Sequence, residues 1–216
     1  MSILIKNKRK GGFSMIELLI VISIFTIITT VALFDQGRLN SNVLLTNLAY
    51  DVALTVREAQ SYGVGVRYSA AGNDTLGGYG VYLDTTAQDQ IVVFHDIDAN
   101  GEYDSATEEV KTYKFLNQRG NQLAELCVGD TGNVLSTSPE CSDYPSGKKA
   151  NKTSITFKRP DPEANFRANG EVVSGPVYLV LKSQDGTNCR AVVIESSGQI
   201  RVEGSDSDVC KKTTTP

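Results

Sequence analysis

The feature that most constrains this chain is a run of 22 residues, 13–34, in which Glu17 is the only charged side chain. A helix rises 1.5 Å per residue, so the run covers about 33 Å, enough for the hydrocarbon core of a bilayer. Lys6, Lys8, Arg9 and Lys10 precede it, followed by Gly11 and Gly12. Basic residues stay on the cytoplasmic side, so the run is expected to cross once, with the N-terminus inside. Everything after Asp35 is then outside, and Asp35, Gln36, Gly37, Arg38, Asn40, Ser41 and Asn42 form a polar collar at the exit.

Glu17 is out of place in such a span. A carboxylate inside a spanning helix costs about 3 kcal/mol on insertion scales. Two remedies are open. Glu17 lies four residues past Phe13 and can reach toward the headgroups. A cut between Gly12 and Phe13 also creates a new cationic amine on Phe13. That amine on a neighbouring copy can pair with Glu17, which would fix the axial step between subunits.

At Gly12, Phe13 and Glu17 the chain resembles the type IV pilin and pseudopilin superfamily. The shared pattern is glycine, then phenylalanine at the cut, then glutamate as the fifth residue after it. The resemblance implies cleavage after Gly12 by a prepilin peptidase, and methylation of the Phe13 amine. It also implies residence in the membrane before assembly, then extraction of the helix into a filament with other pilin or pseudopilin subunits. The family often places a proline about twenty residues into the mature helix. Phe34 stands there in this chain, so local weakness falls to Gly37 instead. Residues 45–65 are similar to the GspH/FimT branch, whose members carry a comparable Leu…Asp…Arg-Glu-Ala segment before a β domain, often with an acidic loop and a closing hairpin. Two plainer readings compete. One is a secretory signal peptide cut after Thr30-Val31-Ala32, for which the apolar run is too long. The other is an uncleaved anchor, which gives no reason for Gly-Gly-Phe or Glu17.

The chain has 21 basic and 25 acidic residues. A cut after Gly12 removes four basic residues and no acidic ones, leaving 17 against 25 and a formal charge of −8. Nucleic-acid affinity comes largely from neutralising phosphates, so that balance argues against broad binding of DNA or RNA.

Beyond the collar the apolar pattern becomes one-sided. Leu45, Leu48, Ala49, Val52, Val56 and Ala59 recur at spacings of three and four, a stripe suited to packing on a sheet. Asn47, Asp51, Arg57 and Glu58 fall off it, and Gly63 stands where a C-terminal cap is expected. After Gly63, stretches rich in β-branched and aromatic residues predict strands over 64–68, 79–83, 91–95, 110–116, 155–158, 177–182, 190–195 and 199–203. Ser196-Ser197-Gly198 predicts a terminal hairpin between the last two. The expected fold is α+β and pilin-like, a long N-terminal helix on an antiparallel β domain. Its expected parts are a leader (1–12), a transmembrane or filament-core helix (13–34), an amphipathic continuation (35–63) and an extracytoplasmic β-rich domain (64–216).

The sharpest chemistry outside the N-terminus is Asp96-Ile97-Asp98-Ala99-Asn100-Gly101-Glu102-Tyr103-Asp104. Side-chain oxygens at the first, third, fifth and ninth places, with glycine sixth, copy the front of an EF-hand calcium loop. Glu102 would give its backbone carbonyl. The twelfth place holds Thr107 rather than glutamate, and Glu108 and Glu109 come one and two residues late. Calcium is therefore one reading, with the loop closed by a shifted glutamate. A bare acidic Asn-Gly hairpin is the other.

Cys127, Cys141, Cys189 and Cys210 lie on the expected outer side, where disulfides form. Of three pairings, Cys127–Cys141 and Cys189–Cys210 are favoured, each worth roughly 3 kcal/mol by loop closure. No catalytic residue is assigned. His95 is the only histidine and sits in a strand pattern, and no phosphate loop, dinucleotide fingerprint or metalloprotease motif occurs. The expected role is structural, in secretion, adhesion, twitching or DNA uptake. The alternative is a membrane-anchored binding module for DNA or cargo.

Overall fold

The structure, a computed structural model, describes residues 12–65, 77–104, 106–115, 120–129, 148–184, 186 and 188–204. At residues 32, 34–40 and 148 it describes the backbone alone. The chain divides into two compact units, residues 1–40 and 41–216. One helix, α1, is assigned over Met15–Val64.

In the first unit the helix starts with Leu18 N–H donating to the Ser14 carbonyl at 3.2 Å. Glu17 lies in the first turn, where a carboxylate complements the helix dipole. The apolar side chains that follow, including Ile20, Val21, Phe25 and Ile28, are all more than half exposed. The hydroxyls among them are satisfied within the helix. Ser23 Oγ donates to the Ile20 carbonyl at 2.8 Å and Thr26 Oγ1 to that of Ser23 at 2.8 Å. Thr30 Oγ1 donates to the Thr26 carbonyl at 2.7 Å. Such back-bonding lets a polar residue sit on a surface that water does not reach. Among the described residues no helix is long and apolar enough to cross a membrane. The described run of helical side chains before the first gap, 15–31, covers about 26 Å against a bilayer core of about 30 Å. The crossing expected over 13–34 is therefore not established by the described residues.

In the second unit the expected stripe is the buried one. Leu45, Leu48, Ala49, Val52, Ala53, Val56 and Ala59 lie in the core, while Tyr50 and Leu54 on the other side are more than half exposed. The strands are β1 (Tyr79–Asp84), β2 (Gln90–His95), β3 (Glu109–Lys114), β4 (Gln122–Val128), β5 (Lys148–Ala150) and β6 (Lys152–Phe157). They continue with β7 (Ala164–Ala168), β8 (Glu171–Val173), β9 (Val177–Lys182), β10 (Cys189–Ile194) and β11 (Ile200–Glu203). Two antiparallel sheets result, of order β3-β2-β1-β6-β7-β8 and β11-β10-β9-β4-β5. Val81, Leu83, Ile91, Val93, Ile155 and Phe157 of the first sheet share one core with the helix stripe. Leu123, Leu126, Leu179, Leu181, Val192 and Ile194 of the second join the same core. Each such side chain contributes about 1.5–3 kcal/mol on burial.

The expected terminal hairpin is present, with Ile194 facing Ile200 and Ala191 facing Glu203. Polar residues off the stripe fasten the turn region to the helix. Arg57 Nη2 donates to the Ile200 carbonyl at 3.2 Å, and Gln60 Nε2 to those of Gly198 at 2.9 Å and Pro162 at 3.1 Å.

Two expectations change. Val64 closes the helix rather than opening a strand, and residues 66–68 of that expected strand lie outside the described residues. Gly63 is not a cap but part of the last helical turn. A Cβ there would stand 2.3 Å from the Phe157 carbonyl oxygen, so glycine is needed for the close approach of β6.

Candidate functional site: the acidic loop between β2 and β3

Residues 96–108 join β2 to β3 at the edge of the first sheet. The register of that pair slips where the loop begins: Val93 faces Lys111, whereas Phe94 faces Glu109. A bulge of this kind re-aims the side chains that follow. Below it, His95 N–H donates to the Glu108 carbonyl at 2.8 Å, and Asp96 N–H to that of Gly78 at 2.9 Å. Both ends of the loop are therefore tied to the sheet.

The loop folds on its own carboxylates. Asp96 is fully buried, and its Oδ2 accepts from Gly101 N–H at 3.1 Å. The same oxygen lies 3.5 Å from Lys158 Nζ, which also donates to the Ala99 carbonyl at 3.3 Å. Asp98 Oδ1 accepts from Asn100 N–H at 3.2 Å, and Asp98 Oδ2 from Asn100 Nδ2 at 2.9 Å. Asn100 Nδ2 also reaches Asp104 Oδ2, and Asn100 Oδ1 accepts from Glu102 N–H at 2.6 Å. Ala99 and Gly101 both take positive φ, 62° and 82°. That sharp turn costs glycine nothing and alanine about 1–2 kcal/mol.

Of the two late glutamates, Glu108 turns into the loop. Its Oε1 accepts from Ile97 N–H at 3.2 Å and its Oε2 from Asp104 N–H at 3.0 Å. Glu109 points elsewhere, accepting from Thr112 Oγ1 at 2.7 Å and from the Tyr103 hydroxyl at 3.4 Å. Asp96, Asp98 and Glu108 each bring an oxygen within 4.8 Å of the other two, so the three could hold a cation. The Glu102 carboxylate faces away, 3.8 Å from Arg167 Nη1. Burial pushes the Glu108 carboxyl up, and the charges of Asp98 and Asp104 push the same way against the two backbone donors.

The loop lies over one face of the sheet. The Tyr103 ring packs 5.1 Å from Tyr82 and 5.7 Å from Phe94, and its N–H points to Ser154 Oγ at 3.4 Å. Burial, followed by the Asp84 carboxylate, pushes the Tyr82 phenol up to about 12. A shallow cleft of about 220 Å³ lies alongside, lined by Tyr82, Tyr103, Lys152, Arg167 and Asn169 among others.

The other sequence-predicted residues lie apart from this loop. Phe13 is 85 % exposed, and a Cβ added at Gly12 would meet nothing within 4 Å. The Gly12–Phe13 bond is thus open to approach, while the rest of the leader lies outside the described residues. Cys127 on β4 and Cys189 on β10 are both disulfide-bonded and pack against Val180. Cys141 and Cys210 lie outside the described residues, and with them the favoured pairings. His95 stacks on Tyr79, with ring centroids 4.6 Å apart. Lys158 was not foreseen as a partner of the loop. It follows β6 and is distant in sequence, so no local pattern announces it.

No curated protein and no solved structure matches the chain. Residues 7–33 match the family described as the prokaryotic N-terminal methylation motif. The chain thus carries, across Gly12, Phe13 and Glu17, a prepilin-type N-terminal motif of the kind that marks pilins and pseudopilins for processing.

Proposed function

We propose that this chain is a minor pilin or pseudopilin, a structural subunit of a type IV pilus or a type II secretion pseudopilus. The match of residues 7–33 to the N-terminal methylation motif carries the proposal. The subunit enters the cytoplasmic membrane through residues 13–34, with its N-terminus inside and its β domain outside. Prepilin peptidase cuts after Gly12, the Phe13 amine is methylated, and the helix passes into a filament of related subunits. Exposed apolar side chains along 15–31, with their hydroxyls bonded to carbonyls a turn back, suit a lipid or a filament core. Glu17 in the first turn is then the contact for the Phe13 amine of the neighbouring subunit. Placement in the GspH/FimT branch rests on residues 45–65 and on the closing hairpin β10–β11.

A direct test is recovery of the subunit in sheared filaments or pseudopili. Wild type is expected there, and Glu17→Ala is expected to stay in the membrane fraction although still cleaved. Equal recovery of the two would reject the assembly contact. The cleft beside Tyr82, Tyr103 and Arg167 favours a second reading, a membrane-anchored binding module. In that case a cargo or ligand would bind the protein without its entry into a filament.

A further inference from the structure

We propose that the carboxylates of Asp96, Asp98 and Glu108 form a calcium site, with Lys158 as the competitor for its buried aspartate. The site stands on its own geometry, whether or not the chain enters a filament. Its strongest indication is Asp96. The side chain is fully buried, and Oδ2 is engaged by Gly101 N–H and Lys158 Nζ. Among the described residues Oδ1 has no hydrogen-bond partner. A buried carboxylate oxygen without a partner is costly, and a cation is the partner that its chemistry calls for.

The surrounding donors fit. Two oxygens bound to one ion at about 2.4 Å lie no more than about 4.8 Å apart. The oxygens of Asp96, Asp98 and Glu108 meet that limit. The Asn100 amide nitrogen draws Asp104 toward Asp98, and the Glu102 carboxylate faces Arg167, away from the cluster. Glu108 stands one place later than the closing glutamate of an EF-hand loop. The slip between Val93 and Phe94 absorbs that extra residue, because it brings the Glu108 carbonyl opposite His95 N–H and leaves the carboxylate over Ile97 and Asp104.

The donor set selects the metal. Every ligand is oxygen, whereas zinc and copper favour nitrogen and sulfur. His95 is stacked on Tyr79, and Cys127 and Cys189 are in disulfides. Magnesium demands a small octahedron at about 2.1 Å and keeps much of its water. A flexible cluster of carboxylates, with water completing the shell, suits calcium's six to eight oxygen ligands.

The test is calorimetric titration of the full chain in detergent, stripped with chelator, against calcium chloride and then magnesium chloride. Calcium is expected to bind and magnesium to compete poorly. Glu108→Gln is expected to weaken calcium at least about tenfold, the loss seen when a residue that merely orients a ligand is changed. Glu109→Gln is expected to leave it unchanged. Asp98 is exposed, so Asp98→Asn keeps the fold and should weaken calcium as well, even if Glu108→Gln fails to fold. Tyrosine-sensitised terbium emission, displaced by calcium, gives a second readout through Tyr103. No calcium binding by the wild type would overturn the proposal. So would loss of binding in Glu109→Gln with Asp98→Asn unaffected.

Discussion

Lys158 Nζ lies 3.5 Å from the fully buried Oδ2 of Asp96, and the same ammonium donates to the Ala99 carbonyl. One cation just beyond β6 thus holds down a loop that leaves β2. Lys158→Met removes that cation and leaves Asp96 with its backbone donor alone. The Lys158 side chain is one-third exposed, so the cost falls between that of a surface pair and that of a buried one, about 1–2 kcal/mol. Urea melts of the variant should show that loss, and millimolar calcium should reduce it.

Gly63 and Phe157 give a second prediction. A methyl group at Gly63 would stand 2.3 Å from a backbone oxygen, which cannot swing away as a side-chain tip can. Alanine is the better helix former by about 1 kcal/mol, but overpacking against backbone costs about 1–3 kcal/mol. Gly63→Ala is therefore expected to lower the denaturation midpoint. A raised midpoint would mean that β6 moves freely from the helix.

Asp84 makes stability depend on acid. Burial works to raise its carboxyl. Hydrogen bonds from Thr86 Oγ1, Thr86 N–H and the Tyr82 hydroxyl, with the charge of Lys152, outweigh it and hold the group below the usual carboxylate value. Its contribution is full above the unfolded value of about 3.9 and is lost as pH falls through the lower folded value. Asp84→Asn should flatten the part of the stability–pH curve below about pH 4 that belongs to this group. An unchanged curve would assign the acid sensitivity to other carboxylates.

Arg57 and Gln60 tie the closing hairpin to α1 through the carbonyls of Ile200 and Gly198. Arg57→Ala should cost about 1.5–3 kcal/mol, the range for a hydrogen bond involving a charged group. The loss should be local, so amide exchange should quicken first in Ile200–Glu203. Uniform quickening across both sheets would contradict it.

Much of this architecture is written in local pattern. The stripe from Leu45 to Ala59 names the buried face of the helix, and the β-branched runs name β1, β2, β9 and β10. Elements without that pattern escape it. Ala164–Ala168 has no β-branched residue and was not predicted, although Asn169 and Gly170, with φ of 51° and 86°, form the kind of two-residue turn that joins it to Glu171–Val173. β4 was hidden by Glu125, whose carboxylate meets Lys149 and Lys182 only once the second sheet is assembled. The calcium-like spacing was legible from Asp96 to Asp104. The choice of Glu108 over Glu109 was not, because it depends on a register slip against another strand, and Lys158 reaches the loop only through the sheet.

The mass of the mature N-terminal peptide, from cells with and without prepilin peptidase, decides whether this chain is processed as a pilin. A peptide that begins at Phe13 with a methylated amine is expected, replaced by the uncut leader when the peptidase is absent. A mature chain that begins at Leu33, or one that keeps residues 1–12 in the presence of the peptidase, would contradict it.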